Sequence, residues 1–179
     1  MSSGEEPKRP KRPRRPRTVA PLRRSVLHVD ARGRARMIDV GGKATTHRRA
    51  TARGRVRLNA AAFDALAKGK LSKGDALAVA RLAGILAAKK TSEIVPLAHP
   101  ISLDAVSVDC ELDAKNREVI VTATTSTAAR TGVEMEALTA VAGACLALYD
   151  MAKALDRAIE IREIVLVEKT GGRSGVYRR

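Results

Sequence analysis

The segment 131-TGVEMEALTAVAGACLALYDMAK-153 decides how this chain folds. Gly132 breaks whatever precedes it, and only Gly143 interrupts the helix-forming residues that follow. Glu134 and Glu136 fall in the first turn, where the positive end of the helix dipole favours carboxylates. Ala140, Gly143, Ala144, Ala147 and Met151 recur at helical spacing as a face of small residues suited to close packing. Tyr149, Asp150 and Lys153 bring polar groups back at the far end. The spacing predicts a core helix charged at both ends. Glu136 and Asp150 share a face but lie roughly 21 Å apart along the axis. That is too far for both to serve one atom of a small molecule. If both act in chemistry, two copies of the helix supply opposite ends of sites at a subunit interface. The structural alternative makes Glu134 and Glu136 dipole partners and Asp150–Lys153 an i,i+3 surface pair.

Around this helix, 179 residues suffice for one domain with a proper core and are few for two. The net charge of +15 is uneven, because residues 1–24 hold nine Lys/Arg against two Glu. Pro7, Pro10, Pro13 and Pro16 punctuate that basic stretch, which cannot bury apolar surface and is expected to be a disordered tail. The domain is expected over residues 25–179, starting near Ser25. It remains basic without the tail, which suits a polyanionic ligand such as a nucleotide or nucleic acid. Cys110 and Cys145 lack metal-ligand spacing and fall in apolar segments, so buried reduced thiols are expected. No run reads as apolar and long enough to span a membrane, and the Arg-rich start lacks the apolar core of a signal peptide. A soluble cytoplasmic protein is the expectation.

Met37–Val40 and Ala50–Leu58 read as short strands or extended arms, and Asn59–Lys68 as a short helix. Ser72, with Asp75 three residues on, reads as the cap of a longer helix reaching Lys90. Lys73 would then oppose the dipole in the first turn, so an anionic partner is expected for it. VPLAHPI, residues 95–101, is stiffened by Pro96 and Pro100. Ala105–Leu112 and Glu118–Thr124 alternate and flank the polar turn DAKNR, an antiparallel hairpin. Ala158–Glu168 alternates again. With an early strand added, the order predicts an α+β, ferredoxin-like fold, an antiparallel sheet with helices on one face.

The chemistry-bearing groups are Lys73, His99, Glu134, Glu136, Asp150, Lys153 and Lys169. LVEKTGGRSG lacks the spacing of a nucleotide-binding P-loop, though its backbone N–H groups and Arg173 could cradle an anion. Nothing suggests a zinc cluster or an acyl-enzyme serine. The remaining set of His, carboxylates and lysines suits acid/base or phosphoryl chemistry on a nucleotide.

MIDVGGKATTHRRATARG, KGDALAVARLAGILAAKKTSEIVPLAHP, TGVEMEALTAVAGACLALYDMAKA and EKTGGRSG, in this order, closely resemble the cyclic pyranopterin monophosphate synthase family of molybdenum cofactor biosynthesis. The resemblance covers about residues 25–179. It implies a ferredoxin-like homohexamer, a trimer of dimers with sites at subunit interfaces. It implies a lyase that converts 3′,8-cyclo-7,8-dihydro-GTP to cyclic pyranopterin monophosphate and diphosphate. No organic cofactor or protein-bound metal is implied, although Mg2+ could accompany the triphosphate. A radical cyclase acting upstream is the implied functional partner, with neither membrane nor nucleic acid involved.

By position in the matching motifs, the resemblance assigns Asp150, Lys73 and Lys153 to catalysis. It assigns substrate contacts to Leu97, Ala98, His99, Met135 and Glu136, with Glu134, Lys169 and Arg173 at further polar positions of the pocket. Ala98 stands where the family usually has Cys, Arg173 stands where Lys is common, and the basic tail is outside the pattern. The competing reading is a basic nucleic-acid-binding module of the same fold. Such modules stack bases on exposed sheet aromatics, and Phe63, Tyr149 and Tyr177, the chain's three aromatics, fall on none of the predicted strands. An inactive paralogue is the third reading.

Overall fold

In a computed structural model that describes residues 32–179, the alternating segments pair into one five-stranded antiparallel sheet. The tail and the domain start at Ser25 lie outside the described residues. The strands are β1 (Thr46–Arg57), β2 (Ala105–Asp113), β3 (Glu118–Ala129), β4 (Glu160–Thr170) and β5 (Tyr177–Arg178). Their spatial order is β2-β3-β1-β4-β5. Between them come α1 (Ala60–Ala67), α2 (Ala76–Lys89), α3 (Thr91–Ile94) and α4 (Glu134–Ala152). β3 lies between β1 and β2, so the first β-α-β unit is split by an antiparallel strand, as the element order predicts.

One sheet face is apolar because alternate residues supply it. Ala52, Gly54 and Val56 of β1 and Val119, Val121 and Ala123 of β3 are buried, while Thr51, Arg53, Thr122 and Thr124 point to the other side. α4 covers the apolar face. A Cβ on Gly54 would stand 2.6 Å from Val141 Cγ1 and 3.3 Å from Cys145 Sγ, so helix and strand meet where only glycine fits. The small-residue face of α4 meets α2. A Cβ on Gly143 would stand 2.5 Å from Ala87 Cβ, and one on Gly84 would stand 2.9 Å from the Ala140 carbonyl. The two helices run antiparallel, and their backbones come this close because neither carries bulk at the crossing. Leu148, Val141 and Val133 are fully buried beside them. Burying each such side chain contributes about 1.5–3 kcal/mol.

Several boundaries differ from the sequence reading. Asp75, not Ser72, caps α2: its Oδ1 accepts from Leu77 N and Ala78 N, both at 3.0 Å. Lys73 therefore lies in the turn before the helix, outside its first turn. β3 continues past Thr124 because Thr125 and Thr127, though turned inward, donate to the carbonyls of Val133 (3.0 Å) and Ser102 (2.7 Å). β4 starts later and ends later than expected, with a bulge where Glu163 takes a φ of 49°. Met37–Val40 joins no strand, and the short elements α3 and β5 have no periodic signal in sequence. Of the cysteines, Cys145 is buried, with its thiol pushed up to about 12 by desolvation, whereas Cys110 is only half-buried. Contrary to the sequence expectation, α4 is long and apolar enough to cross a membrane by length and composition. Half of that window is buried against α2 and the sheet, the pattern of a core helix.

Candidate active site

The C-terminal end of α4 carries a compact ionic cluster. Lys73 Nζ lies 2.6 Å from Asp150 Oδ2 and donates to the Asp150 carbonyl at 3.0 Å. Lys153 Nζ lies 2.8 Å from Asp150 Oδ1, one helical turn on. Each carboxylate oxygen thus holds one ammonium. Lys73 reaches this place because α2 runs antiparallel to α4, which brings the turn before α2 to the end of α4. The hydrogen bonds from Lys153 and then Lys73 hold the Asp150 carboxyl down at about 2, and Asp150 in turn raises the pKa of Lys153. All three side chains are about half exposed, so the cluster faces solvent. The anionic partner expected for Lys73 is Asp150.

The N-terminal end of α4 opens on a cavity of about 260 Å³ lined by Leu97, Ala98, His99, Glu134, Met135 and Glu136, among others. Pro96 and Pro100 hold the 97–99 segment against it, and His99 Nε2 donates to the Ile38 carbonyl at 2.8 Å. A carbonyl can only accept, so Nε2 carries the proton and Nδ1 is left as the ring's other polar atom. Glu136 is 4% exposed. Its burial pushes the carboxyl pKa upward, and the neighbouring Glu134 charge adds to that. Glu134 folds back over Gly132, where any side chain would collide with its carboxylate.

Beside this cavity a wider cleft of about 660 Å³ is predominantly cationic: Lys43, Arg48, Arg130, Lys169 and Arg173 outnumber Asp39 and Glu134. Lys169 pairs with Glu134 at 3.0 Å and donates to Ser174 Oγ at 2.7 Å. The TGGRSG turn sets the cleft wall. Gly171 and Gly172 adopt φ of 92° and 77°, and a side chain on Gly172 would displace the Arg48 guanidinium. Basic side chains around a glycine turn suit a phosphate-bearing ligand.

The structure therefore brings the expected residues together in two groups, not one. Lys73, Asp150 and Lys153 share one end of α4; Leu97, Ala98, His99, Glu134, Met135, Glu136, Lys169 and Arg173 gather around the other. Lys43, Arg48 and Arg130 belong to the cleft and escape the residue-level reading of the sequence. For Lys43 and Arg48 the signal is position within the MIDVGGKATTHRR stretch, where weak periodicity hides which side chain turns toward the cleft, and Arg130 directly precedes the TGVEMEALTA motif. Among the described residues, no group of three or more His, Cys, Asp or Glu could hold a metal ion.

A split α+β sheet bearing a basic cleft and a Lys–Asp–Lys cluster defines an acid/base protein for an anionic small molecule. The chain belongs to the MoaC family, whose model matches residues 37–172. It is similar to curated proteins named cyclic pyranopterin monophosphate synthase. That of Novosphingobium aromaticivorans is 56% identical over 151 residues, 84% of this chain and 95% of the relative. The Parvibaculum lavamentivorans protein is 52% identical over 155 residues, covering 87% and 97%. A Mycobacterium tuberculosis protein, cyclic pyranopterin monophosphate synthase 1, is 54% identical over 158 residues, covering 87% and 91%.

Proposed function

We propose that this chain is a cyclic pyranopterin monophosphate synthase, acting on 3′,8-cyclo-7,8-dihydro-GTP and releasing diphosphate. The observation that carries the reading is Asp150 clamped between Lys73 and Lys153 on an open surface. A carboxyl held at about 2 is ionised throughout the working pH range and is a poor proton donor. Asp150 is accordingly the group that orients the two lysines, and it raises the pKa of Lys153. Lys73 and Lys153 are the acids that meet charge developing on the rearranging rings. The buried Glu136, with its raised pKa, is a second proton-holding group, facing the same cavity as His99. Lys43, Arg48, Lys169 and Arg173 hold the triphosphate. A sugar hydroxyl attacks the α-phosphorus, the new P–O bond closes the cyclic phosphate, and the bond to the diphosphate breaks. The cationic cleft stabilises the charge that leaves. Any Mg2+ arrives with the triphosphate as part of the substrate.

The two groups lie at opposite ends of one helix, so one chain holds two half-sites. Met135, Leu146 and Asp150 all lie on the exposed side of α4, and Leu82 and Leu86 of α2 are exposed beside them. A two-fold axis through this apolar strip would set the Asp150 end of one copy against the Glu136 end of the other. We assign that arrangement to the dimer of a ferredoxin-like homohexamer built as a trimer of dimers. Incubating the purified protein with the cyclised nucleotide should yield equal amounts of pterin product and diphosphate. No turnover would sink this reading and favour an inactive paralogue. Nucleic-acid binding is disfavoured by the sheet itself: Phe63 is buried in α1, Tyr149 is on α4, and Tyr177 is on the marginal strand β5. The open face offers no aromatic platform.

A further inference from the structure

Glu134 borders both the cavity at the start of α4 and the cationic cleft beside it. Its carboxylate stands where the proposed reaction needs a phosphate, 3.0 Å from Lys169 Nζ. Asp39, the other carboxylate of the cleft, accepts instead from the Gly41 N–H at 2.7 Å. Lys169 is otherwise well placed for a ligand. It lies opposite Ala50 of β1 and Tyr177 of β5, so its side chain starts from backbone paired on both sides. Ser174 Oγ, in the glycine turn, accepts a second hydrogen bond from the ammonium at 2.7 Å. The side chains of Lys169 and Glu134 are 23% and 28% exposed, so water screens their pairing and holds it weaker than a buried one. Glu134 also has a second resting place. It is the first residue of α4, Val133 before it offers no side-chain cap, and Gly132 leaves the carboxylate room over the chain. The helix dipole favours a carboxylate there whether or not it touches Lys169.

We propose that Glu134 is a displaceable latch on Lys169: closed in the empty cleft, opened by the incoming triphosphate, and closed again as diphosphate leaves. The proposal rests on the assignment of the cleft to the triphosphate. A phosphate group carries more charge than a carboxylate and more acceptor oxygens. One that also meets Lys43, Arg48 and Arg173 gains several charge-assisted hydrogen bonds at once and outcompetes a single carboxylate for Lys169. Lys169 is open to a ligand only while Glu134 is off it, and apparent affinity falls by that fraction. A latch closed about nine-tenths of the time makes binding about tenfold weaker than the bare cleft would give. That loss has a use at the end of the reaction. Diphosphate still has the cations of the cleft around it, and a carboxylate attached beside Lys169 competes with it at the high effective concentration of a tethered group. Glu134 thus acts through Lys169, as a positioning residue.

Isothermal titration of the full chain with diphosphate, without added Mg2+, tests the latch, and pterin formation by the wild-type protein is followed in parallel. Glu134→Gln keeps the shape of the side chain and loses its charge. It should bind diphosphate about tenfold more tightly than wild type, where a purely structural ion pair would give weaker binding or none. Lys169 must carry the effect. With Lys169→Ala as the background, adding Glu134→Gln should change affinity by no more than about twofold. Glu134→Ala should act in the same direction and serves if the Gln variant fails to fold. A Glu134→Gln protein that binds diphosphate no more tightly than wild type would overturn the proposal. So would a gain that survives undiminished in the Lys169→Ala background, since that is plain repulsion between carboxylate and phosphate. Diphosphate binding by neither wild type nor Glu134→Gln would overturn both the latch and the assignment of the cleft. A wild-type protein without pterin activity whose Glu134→Gln variant still gains affinity through Lys169 would refute the enzymatic reading while supporting the latch.

Discussion

Lys73 and Asp150, 77 residues apart in sequence, meet with Nζ 2.6 Å from Oδ2, and the same ammonium caps the Asp150 carbonyl at 3.0 Å. A single lysine thereby joins the turn before α2 to the end of α4. Exposed ion pairs of this kind add little to stability, whereas loss of a positioned acid or base costs roughly 10²–10⁴ in rate. Lys73→Ala, Asp150→Ala and Lys153→Ala should therefore each lose at least about a hundredfold in pterin formation. Their melting temperatures and sedimentation should stay close to wild type. Near-normal turnover with lowered melting would return the cluster to a purely structural role.

Because Lys73 and Asp150 sit on the same end of one chain, mixing those two variants cannot rebuild a site from undamaged halves. Variants damaged at opposite ends can. An equal mixture of Asp150→Ala with Glu136→Ala subunits, dissociated and reassembled together, should regain about a quarter of the wild-type activity, because half of the dimers are mixed and each mixed dimer holds one undamaged site of two. Each parent should stay inactive. A mixed assembly as inactive as its parents would place both half-sites of one reaction elsewhere.

The Asp150 carboxyl, held at about 2, lies below its ordinary value. A depressed carboxyl favours the folded state above the ordinary carboxylate range near 3.9, and that preference fades as pH falls toward 2. Asp150 should therefore contribute no acid limb to the rate profile between about pH 5 and 8. Carboxyl titration followed by NMR should show its midpoint moving up in Lys153→Ala and in Lys73→Ala. An unmoved midpoint would mean that the two hydrogen bonds are not what holds it down.

Gly172 leaves room for the Arg48 guanidinium at a φ of 77°. Gly172→Ala should raise KM for the nucleotide more than it lowers kcat, since it disturbs the triphosphate cleft and leaves the Lys–Asp–Lys cluster untouched. A fall confined to kcat would contradict that division of the site.

Gly143 meets Ala87 at the crossing of α2 and α4, where an added Cβ would stand 2.5 Å away. Gly143→Val should lower unfolding free energy by about 1–3 kcal/mol, the usual cost of overpacking, measured by chemical denaturation. It should also weaken turnover, because the same crossing brings Lys73 to Asp150. Unchanged stability would show that the helices separate more easily than their packing suggests.

The sequence by itself determined the elements whose periodicity is strong: α4 with its small-residue face, the β2–β3 hairpin, and the acidic first turn at Glu134 and Glu136. Periodicity is a local property, set by which face of a helix or strand must be buried, and it survives without knowledge of neighbours. The motifs along the chain also placed it in its family. What only the tertiary structure decided is pairing across distance. No spacing rule brings Lys73 onto Asp150, and none turns Lys43 and Arg48 into the cleft of Lys169. Nor does the sequence leave Asp75 rather than Ser72 as the cap, because both can accept the same N–H bonds and packing alone selects between them. The separation of the site into two groups was visible from helical rise, since fourteen residues of α-helix span a fixed length in any fold. Which residues join each group depended on the antiparallel crossing of α2 and α4, which the absence of side chains at Gly84 and Gly143 permits.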